Sequence, residues 1–567
     1  MIPLSETKRK LADINRAAEE RDAERRAKSF GAPYTNLANA PLELDALSLL
    51  SREVAERAKI AVIAKTKNGL LVVTLDPTTK EAEAALKFLG EKHKQINVSV
   101  VSASSFARVL HYYDFIHAPE GEITGKVQIN QDRLDELRNR LRTLTQAQEE
   151  MKRANSSSLG AAQFLEIFLA SAVTLRASDI HLEPQERDVK FRLRIDGLLH
   201  DISDEINESE YFYVVSRIKL LSGLKLNIHE TSQDGRFTVS VAGTEVEIRV
   251  SFLPSEYGET AVLRILDPSM LRVGLDALGI RPDSLELIKV ELAKPNGMIL
   301  NTGPTGSGKT TTLYSFLLHV QNPEIKIVTI EDPIEYRLPG IEQTQIDSGA
   351  GYTFENGLRA IVRQDPDVIL VGEIRDLETA EIAMHASLTG HLVFSTLHTN
   401  DSFGTIPRLI DLGVKPTIIG PALNLAIAQR LVRRLCEKCK VKKDVSADVE
   451  GAINAFLSKL PDYIDRKPYS VGNIFEAKGC DECGMIGYKG RIAIIELLQI
   501  NDDIEKLVYA GASEVDIKNA AQKQNMLVLQ DDGVLRALQG VTTFKEVIRI
   551  TGAIPWYKNE STKSEKE

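Results

Sequence analysis

Residues Gly303-Pro304-Thr305-Gly306-Ser307-Gly308-Lys309-Thr310 follow the spacing GxxxxGK[ST], and this short run constrains the fold more than any other. The apolar stretch Met298–Thr302 before it reads as a strand, and a helix is predicted from about Thr311. In that setting the glycines let the backbone wrap with its N–H groups turned inward. The helix N-terminus adds partial positive charge, so the loop is built to hold phosphate. Lys309 is placed to reach the β- and γ-phosphates of a nucleotide such as ATP, and the Thr310 hydroxyl to ligate Mg²⁺. Gly303, Pro304, Thr305, Gly306, Ser307, Gly308, Lys309, Thr310 and Thr311 form the expected nucleotide-binding set. The alternative, a plain glycine-rich turn, is disfavoured by the flanking strand and helix.

Hydrolysis also needs carboxylates to order the metal and the attacking water. Two strand ends supply them. Ile325–Ile330 runs into Glu331-Asp332-Pro333-Ile334-Glu335, and Val368–Val371 into Gly372-Glu373. In an open parallel sheet, ligands lie beyond the carboxyl ends of the strands, where both clusters would fall. Gly372 takes the place of the usual Asp in the second cluster, which leaves Glu373 as its only carboxylate. A Glu at a strand end is often just a solvated charge, but two such ends downstream of a phosphate loop argue otherwise.

With 567 residues, the chain exceeds what one hydrophobic core organises. Residues 1–35 read as a charged leader, and 36–120 as a small α/β domain with strands Ile60–Ala64, Leu70–Leu75 and Val98–Val101 and a helix Glu81–Leu89. Leu134, Leu137, Leu141 and Leu144 at helical spacing predict an amphipathic connecting helix through 121–158, with a short coiled coil as the lesser reading. A second α/β unit is expected over 159–270. The third, 271–435, alternates strands and helices and predicts a parallel sheet covered on both faces. A cysteine region, 436–495, precedes a helical region, 496–553, in which Gly533 and Gly540 read as punctuation, and the polar tail 554–567 reads as disordered.

The four cysteines come as two CxxC pairs, Cys436/Cys439 and Cys480/Cys483. Two such turns complete a tetrahedral site of structural Zn²⁺ type, with no open position for catalysis; a redox role is the weaker reading. Nearby Arg430, Arg433, Arg434 and Lys438 read as a basic, solvated face. A formal net charge of −10 argues against a general nucleic-acid surface. No apolar run is long enough to span a membrane, and the start has no signal-peptide core. The expectation is a cytoplasmic protein.

The residues also resemble a family, the secretion ATPases of type II secretion and type IV pilus assembly. The likeness spans about 36–553. It rests on Ala177-Ser-Asp-Ile-His-Leu-Glu-Pro184, Arg192-Leu-Arg-Ile-Asp-Gly197, the phosphate loop, and Thr329-Ile-Glu-Asp-Pro-Ile-Glu335, which looks like the family's Asp box. It rests further on Val371-Gly-Glu-Ile-Arg-Asp376, similar to the Walker B region, and on Thr389-Gly-His-Leu-Val-Phe-Ser-Thr-Leu-His-Thr-Asn-Asp401, similar to the His box. The resemblance implies a RecA-like domain preceded by a PAS-like domain, a homohexamer with nucleotide held between the two domains, and a place at the inner face of the plasma membrane. There it would work on an inner-membrane platform protein and, indirectly, on pilin or pseudopilin. It implies that Glu331 and Glu335 help orient the attacking water, that Glu373 serves Mg²⁺ and the water, and that His391 and His398 sense the γ-phosphate. Arg249 and Arg264 match arginines that the PAS-like domain turns toward the phosphates, and Arg359, Arg363 and Arg375 match arginines at the family's catalytic interface, although ordinary ion pairs would explain each singly. The 36–120 unit is similar to the family's docking domain, which in some members binds cyclic di-GMP. The motif this would need is not recognisable around Leu49–Ala64, so such binding is not expected. The tetracysteine module favours extension over retraction. The competing readings are a nucleic-acid translocase of conjugation or DNA uptake, and a non-hydrolysing assembly protein.

Overall fold

The computed structural model describes residues 18–37, 42–66, 69–93, 95–113, 126–128, 136–137, 140–156, 161–241, 244–267 and 274–557. The chain divides at Ile265/Leu266 into two compact units.

The first unit opens with a small sheet of β1 (Ile60–Thr66), β2 (Gly69–Thr74) and β3 (Ile96–Val100), in which β1–β2 is antiparallel and β2–β3 parallel. Helices Arg52–Ala58 and Lys80–Lys92 start where Ser51 and Thr79 accept the backbone N–H groups of Val54 and Ala82. Residues 18–37 show how the described part of the charged leader is held. They form a helix at 18–30 whose Ala23 and Ala27 are buried, and Glu20 accepts from Tyr34, Ser102 and Ser105 at 2.7–2.9 Å. The rest of the expected leader, 1–17, lies outside the described residues.

The connecting helix is also shorter than its leucine spacing suggests. It runs from Leu144 to Ser156, because Thr143 and Gln146 cap each other's backbone N–H groups and start a new helix there. Leu134 lies outside the described residues. A seven-stranded sheet follows, in the order β4 (Lys126–Gln128), β8 (Gln233–Val241), β9 (Thr244–Ser255), β10 (Gly258–Leu266), β5 (Ala177–Pro184), β6 (Asp188–Ile195) and β7 (Leu198–Asn207). Helices Ala161–Thr174 and Glu208–Leu221 accompany this PAS-like layer. The small sheet's domain is tied to it by Tyr112, which donates to the Leu226 carbonyl, and by Asn227, which donates to that of Leu37.

The second unit is built on one sheet in the order β13 (Glu342–Gln345), β12 (Ile327–Glu331), β14 (Val368–Val371), β15 (Leu392–Leu397), β11 (Gly297–Thr302), β16 (Leu423–Leu435) and β19 (Tyr488–Gln499). Every pairing is parallel except β16–β19. Strands β11, β12, β14 and β15 are buried at every position, as a sheet with helices on both faces requires. Strand β19 crosses the expected border at 495/496: the cysteine module is an excursion from a long antiparallel ribbon, carrying the short pair β17 (Val441–Lys442) and β18 (Phe475–Glu476) and a helix Ala447–Ser458. Gly540 ends a helix at φ +75° as expected, but Gly533 lies inside helix Leu529–Leu538. A Cβ there would meet Val547 at 2.7 Å, so Gly533 permits close packing instead of a turn. The start of the tail is likewise fixed: Ile554 is buried and Tyr557 stacks on Phe544 at 4.4 Å, while 558–567 lies outside the described residues. Among the described residues no helix is long and apolar enough to cross a membrane.

Candidate functional site

Strand β11 ends at Thr302 and the next helix begins at Lys309, so the loop Gly303–Gly308 caps the carboxyl edge of the sheet beside β15 and β16. A Cβ at Gly303 would stand 2.6 Å from the Gln429 carbonyl, which leaves glycine as the only residue that fits. Lys309 Nζ folds back to donate to the carbonyls of Gly303 (2.8 Å) and Pro304 (3.3 Å). Burial lowers its pKa, and the negative charge of Glu373 opposes that shift. The Ser307 hydroxyl is buried without a hydrogen-bond partner. An inward lysine, an unused hydroxyl and a helix N-terminus fit a polyphosphate.

Glu373 leaves β14 toward the same edge. Its carboxylate is paired with Arg375 and lies 3.4 Å from His398 Nε2, the first residue after β15. The turn after β15 is pinned to the loop strand because Thr399 N donates to Thr302 Oγ1 at 2.7 Å. Thr310 occupies the first turn of the helix that follows the loop. Glu373, His398, Arg375, Lys309 and Thr310 thus gather at one edge of the sheet.

His391 is not brought to this edge of its own sheet. It precedes β15, and its Nδ1 lies 2.9 Å from the Ala386 carbonyl. The strand between His391 and His398 spans roughly 20 Å, so the two histidines lie at opposite ends of the sheet. Arg363 is also at the far end, next to Gln364, whose carbonyl accepts from Lys326 just ahead of β12. Arg359 sits on an exposed helix face, bonded to Glu355 at 3.2 Å. Glu331 lies deeper than Glu335. It is buried, and its carboxylate accepts from Tyr314, Thr329 and Gln343. Burial raises its pKa; these bonds resist the shift and nearby Glu335 adds to it. Glu331 therefore anchors the sheet edge, and Glu335 is the more open carboxylate of the pair. In the first unit Arg249 pairs with Glu247 at 3.2 Å and Arg264 with Asp179 at 3.0 Å.

Gln429 went unnoticed in the sequence. Buried in the middle of β16, its amide donates to the Ser307 carbonyl at 2.9 Å and accepts from Asn301 and Thr312 at 3.0 and 2.9 Å. It joins strand, loop and helix. No motif announces it; the one available signal is an amide in the middle of an otherwise apolar run. The expected basic face also dissolves. Arg433 is inward, 2.6 Å from buried Glu546, Arg430 turns to the phosphate loop, and only Arg434 and Lys438 stay exposed.

The four cysteine sulfurs lie within 4.8 Å of one another, with Cys436–Cys480 at 3.9 Å and Cys439–Cys483 and Cys480–Cys483 at 3.8 Å. Four thiolates ~2.3 Å from one ion at tetrahedral angles stand roughly 3.8 Å apart. Backbone N–H groups of Cys480 and Gly487 point at Cys483 Sγ, each at 3.2 Å.

A parallel sheet with a phosphate loop at its carboxyl edge and a glutamate on the strand two positions away defines a RecA-like P-loop nucleoside triphosphatase. The family model described as Type II/IV secretion system protein matches residues 156–549, and the one described as MshEN domain matches 30–115. The chain belongs to the Type II/IV secretion system protein family. It is similar to the type IV pilus assembly ATPase PilB of Myxococcus xanthus, 36% identical over 528 residues, covering 92% of this chain and 89% of that one. It is also similar to the protein of that name from Thermus thermophilus, 39% identical, covering 93% and 57%. The type II secretion system protein E of Pseudomonas aeruginosa is 44% identical over 390 residues, covering 69% and 75%.

Proposed function

We propose that this chain is the cytoplasmic ATPase that powers type IV pilus assembly. The carrying observation is coverage: relatives named for pilus assembly match 92–93% of the chain, docking domain included, whereas the type II secretion relative matches 69%. Type II secretion is the second reading, favoured by its higher identity over the shared part.

In this reading the loop amides and Lys309 hold the triphosphate. Bound Mg²⁺ supplies charge neutralisation at the phosphates, with Thr310 and Glu373 as its protein partners. Glu373, oriented by Arg375 and His398, positions water for attack, and Glu335 borders the same edge. Arg359 lies on an exposed helix face and Arg363 at the far end of the sheet from its own loop, which suits arginines that act on the site of a neighbouring subunit in a homohexamer. The four cysteines hold Zn²⁺, which staples the ribbon β16–β19. The docking domain engages an inner-membrane platform, placing the motor at the inner membrane face and pilin downstream of it.

A deletion strain complemented with the wild-type or the Lys309→Ala chain tests the proposal. Wild type restores surface pili and the variant does not, while both leave type II secretion unchanged. Pili with the variant, or a secretion defect without a pilus defect, would overturn it.

A further inference from the structure

Arg430 occupies an unusual electrostatic position. It follows Gln429 in β16, two residues beyond Ala428, which pairs with Thr302, and its side chain reaches the first residue of the phosphate loop. A Cβ on Gly303 would lie 3.0 Å from its Nη1. Its guanidinium donates only to main-chain carbonyls, Nη1 to its own neighbour Gln429 at 3.0 Å and Nη2 to Asn400 at 2.7 Å. Among the described residues no carboxylate pairs with it within 4.0 Å, although Glu496 and Asp401 act on it from farther away. It is half-buried, and burial lowers its pKa. Its charge also reaches Lys309, whose ammonium likewise rests on carbonyls alone.

Two cations therefore share one loop, and among the described residues neither has an anionic partner in contact. Half-buried guanidinium groups are rarely left so, because desolvation without a counter-charge is costly. The carbonyls held by Lys309 and Arg430 are weak substitutes for the oxygens of an anion. The Asn400 contact also ties Arg430 to the turn that carries His398. We infer that Arg430 is a phosphate-contacting residue supplied by the same chain, a second cation for the terminal phosphate of a nucleoside triphosphate. This rests on the proposed hydrolysis but not on pilus assembly. A planar guanidinium suits the role because it presents several donors in a fixed fork to phosphate oxygens.

The test compares triphosphate with diphosphate binding on the full-length protein, by displacement of a fluorescent nucleotide with a non-hydrolysable ATP analogue and with ADP. Arg430→Gln should weaken the analogue on the order of ten-fold while ADP changes by about two-fold or less, a loss of discrimination. Arg430→Lys, which keeps the charge, should recover part of it. Thermal melting of both variants checks that they fold; should the glutamine variant fail, the lysine variant carries the same comparison against wild type. Equal weakening of both nucleotides, or no change in either, would overturn the inference: the first marks a purely structural role and the second none. Lys309→Ala serves as the reference for general loss of phosphate binding, so failure of the nucleotide site as a whole is seen separately.

Discussion

The side-chain amide of Gln429 donates to the Ser307 carbonyl at 2.9 Å, so the last turn of the phosphate loop is held by a strand that carries none of the motif. Its oxygen meanwhile takes the Asn301 and Thr312 donors. Gln429→Ala leaves these buried donors without an acceptor, which should cost roughly 1–3 kcal/mol of stability and loosen the loop. Urea unfolding should show the loss, with weaker ADP binding alongside it. Unchanged stability and affinity would remove the clamp.

Glu373→Gln keeps size and loop geometry but removes the charge that orients water. Nucleotide affinity should stay near wild type while phosphate release falls by at least ~100-fold. Retained turnover would exclude Glu373 from its assigned role.

The two histidines should separate. His398→Ala perturbs Glu373 and should slow turnover, whereas His391→Ala, roughly 20 Å away along the strand, should leave nucleotide affinity within about two-fold. Parallel losses of affinity would show that His391 reaches a nucleotide after all.

Cys436→Ser should abolish stoichiometric zinc and lower stability, because the remaining three thiolates no longer close the site. Elemental analysis of purified wild-type and variant chains, with melting curves, decides. Equal metal content would count against the site.

Acid should release the pair Arg433–Glu546. Burial alone would raise the Glu546 carboxyl, but hydrogen bonds from Arg433 and Arg549 outweigh it and hold it down to about 2, against an ordinary 4.5. With the folded value depressed, the stabilisation is fully present above the ordinary value and is lost as pH falls through the folded one. The difference corresponds to roughly 3 kcal/mol at most. Between about pH 5 and 3, wild type should lose more stability than Glu546→Gln; parallel acid limbs would rule the pair out.

Much of the nucleotide edge was legible in sequence because local rules suffice there. A glycine loop between an apolar strand and a helix has one geometry, and Glu373 follows its strand directly. Strands β11, β12, β14 and β15 were legible for a similar reason, as short apolar runs bounded by turns. The histidines show where this stops. His391 and His398 are equally close to one strand in sequence, but a strand is long and has two ends, and only the parallel register with β11 says which end faces the loop.

By itself the sequence determined the phosphate loop, the two cysteine pairs and the alternation that builds a parallel sheet, since each depends on neighbours a few residues apart. Only the tertiary structure decided that Glu331 is an anchor, that Arg433 is inward, and that Gln429 and Arg430 belong to the site. Those outcomes depend on which groups meet in space, from 17 residues apart for Tyr314 and Glu331 to 122 for Gln429 and Ser307, and on whether the desolvation of each is matched by a partner when they meet.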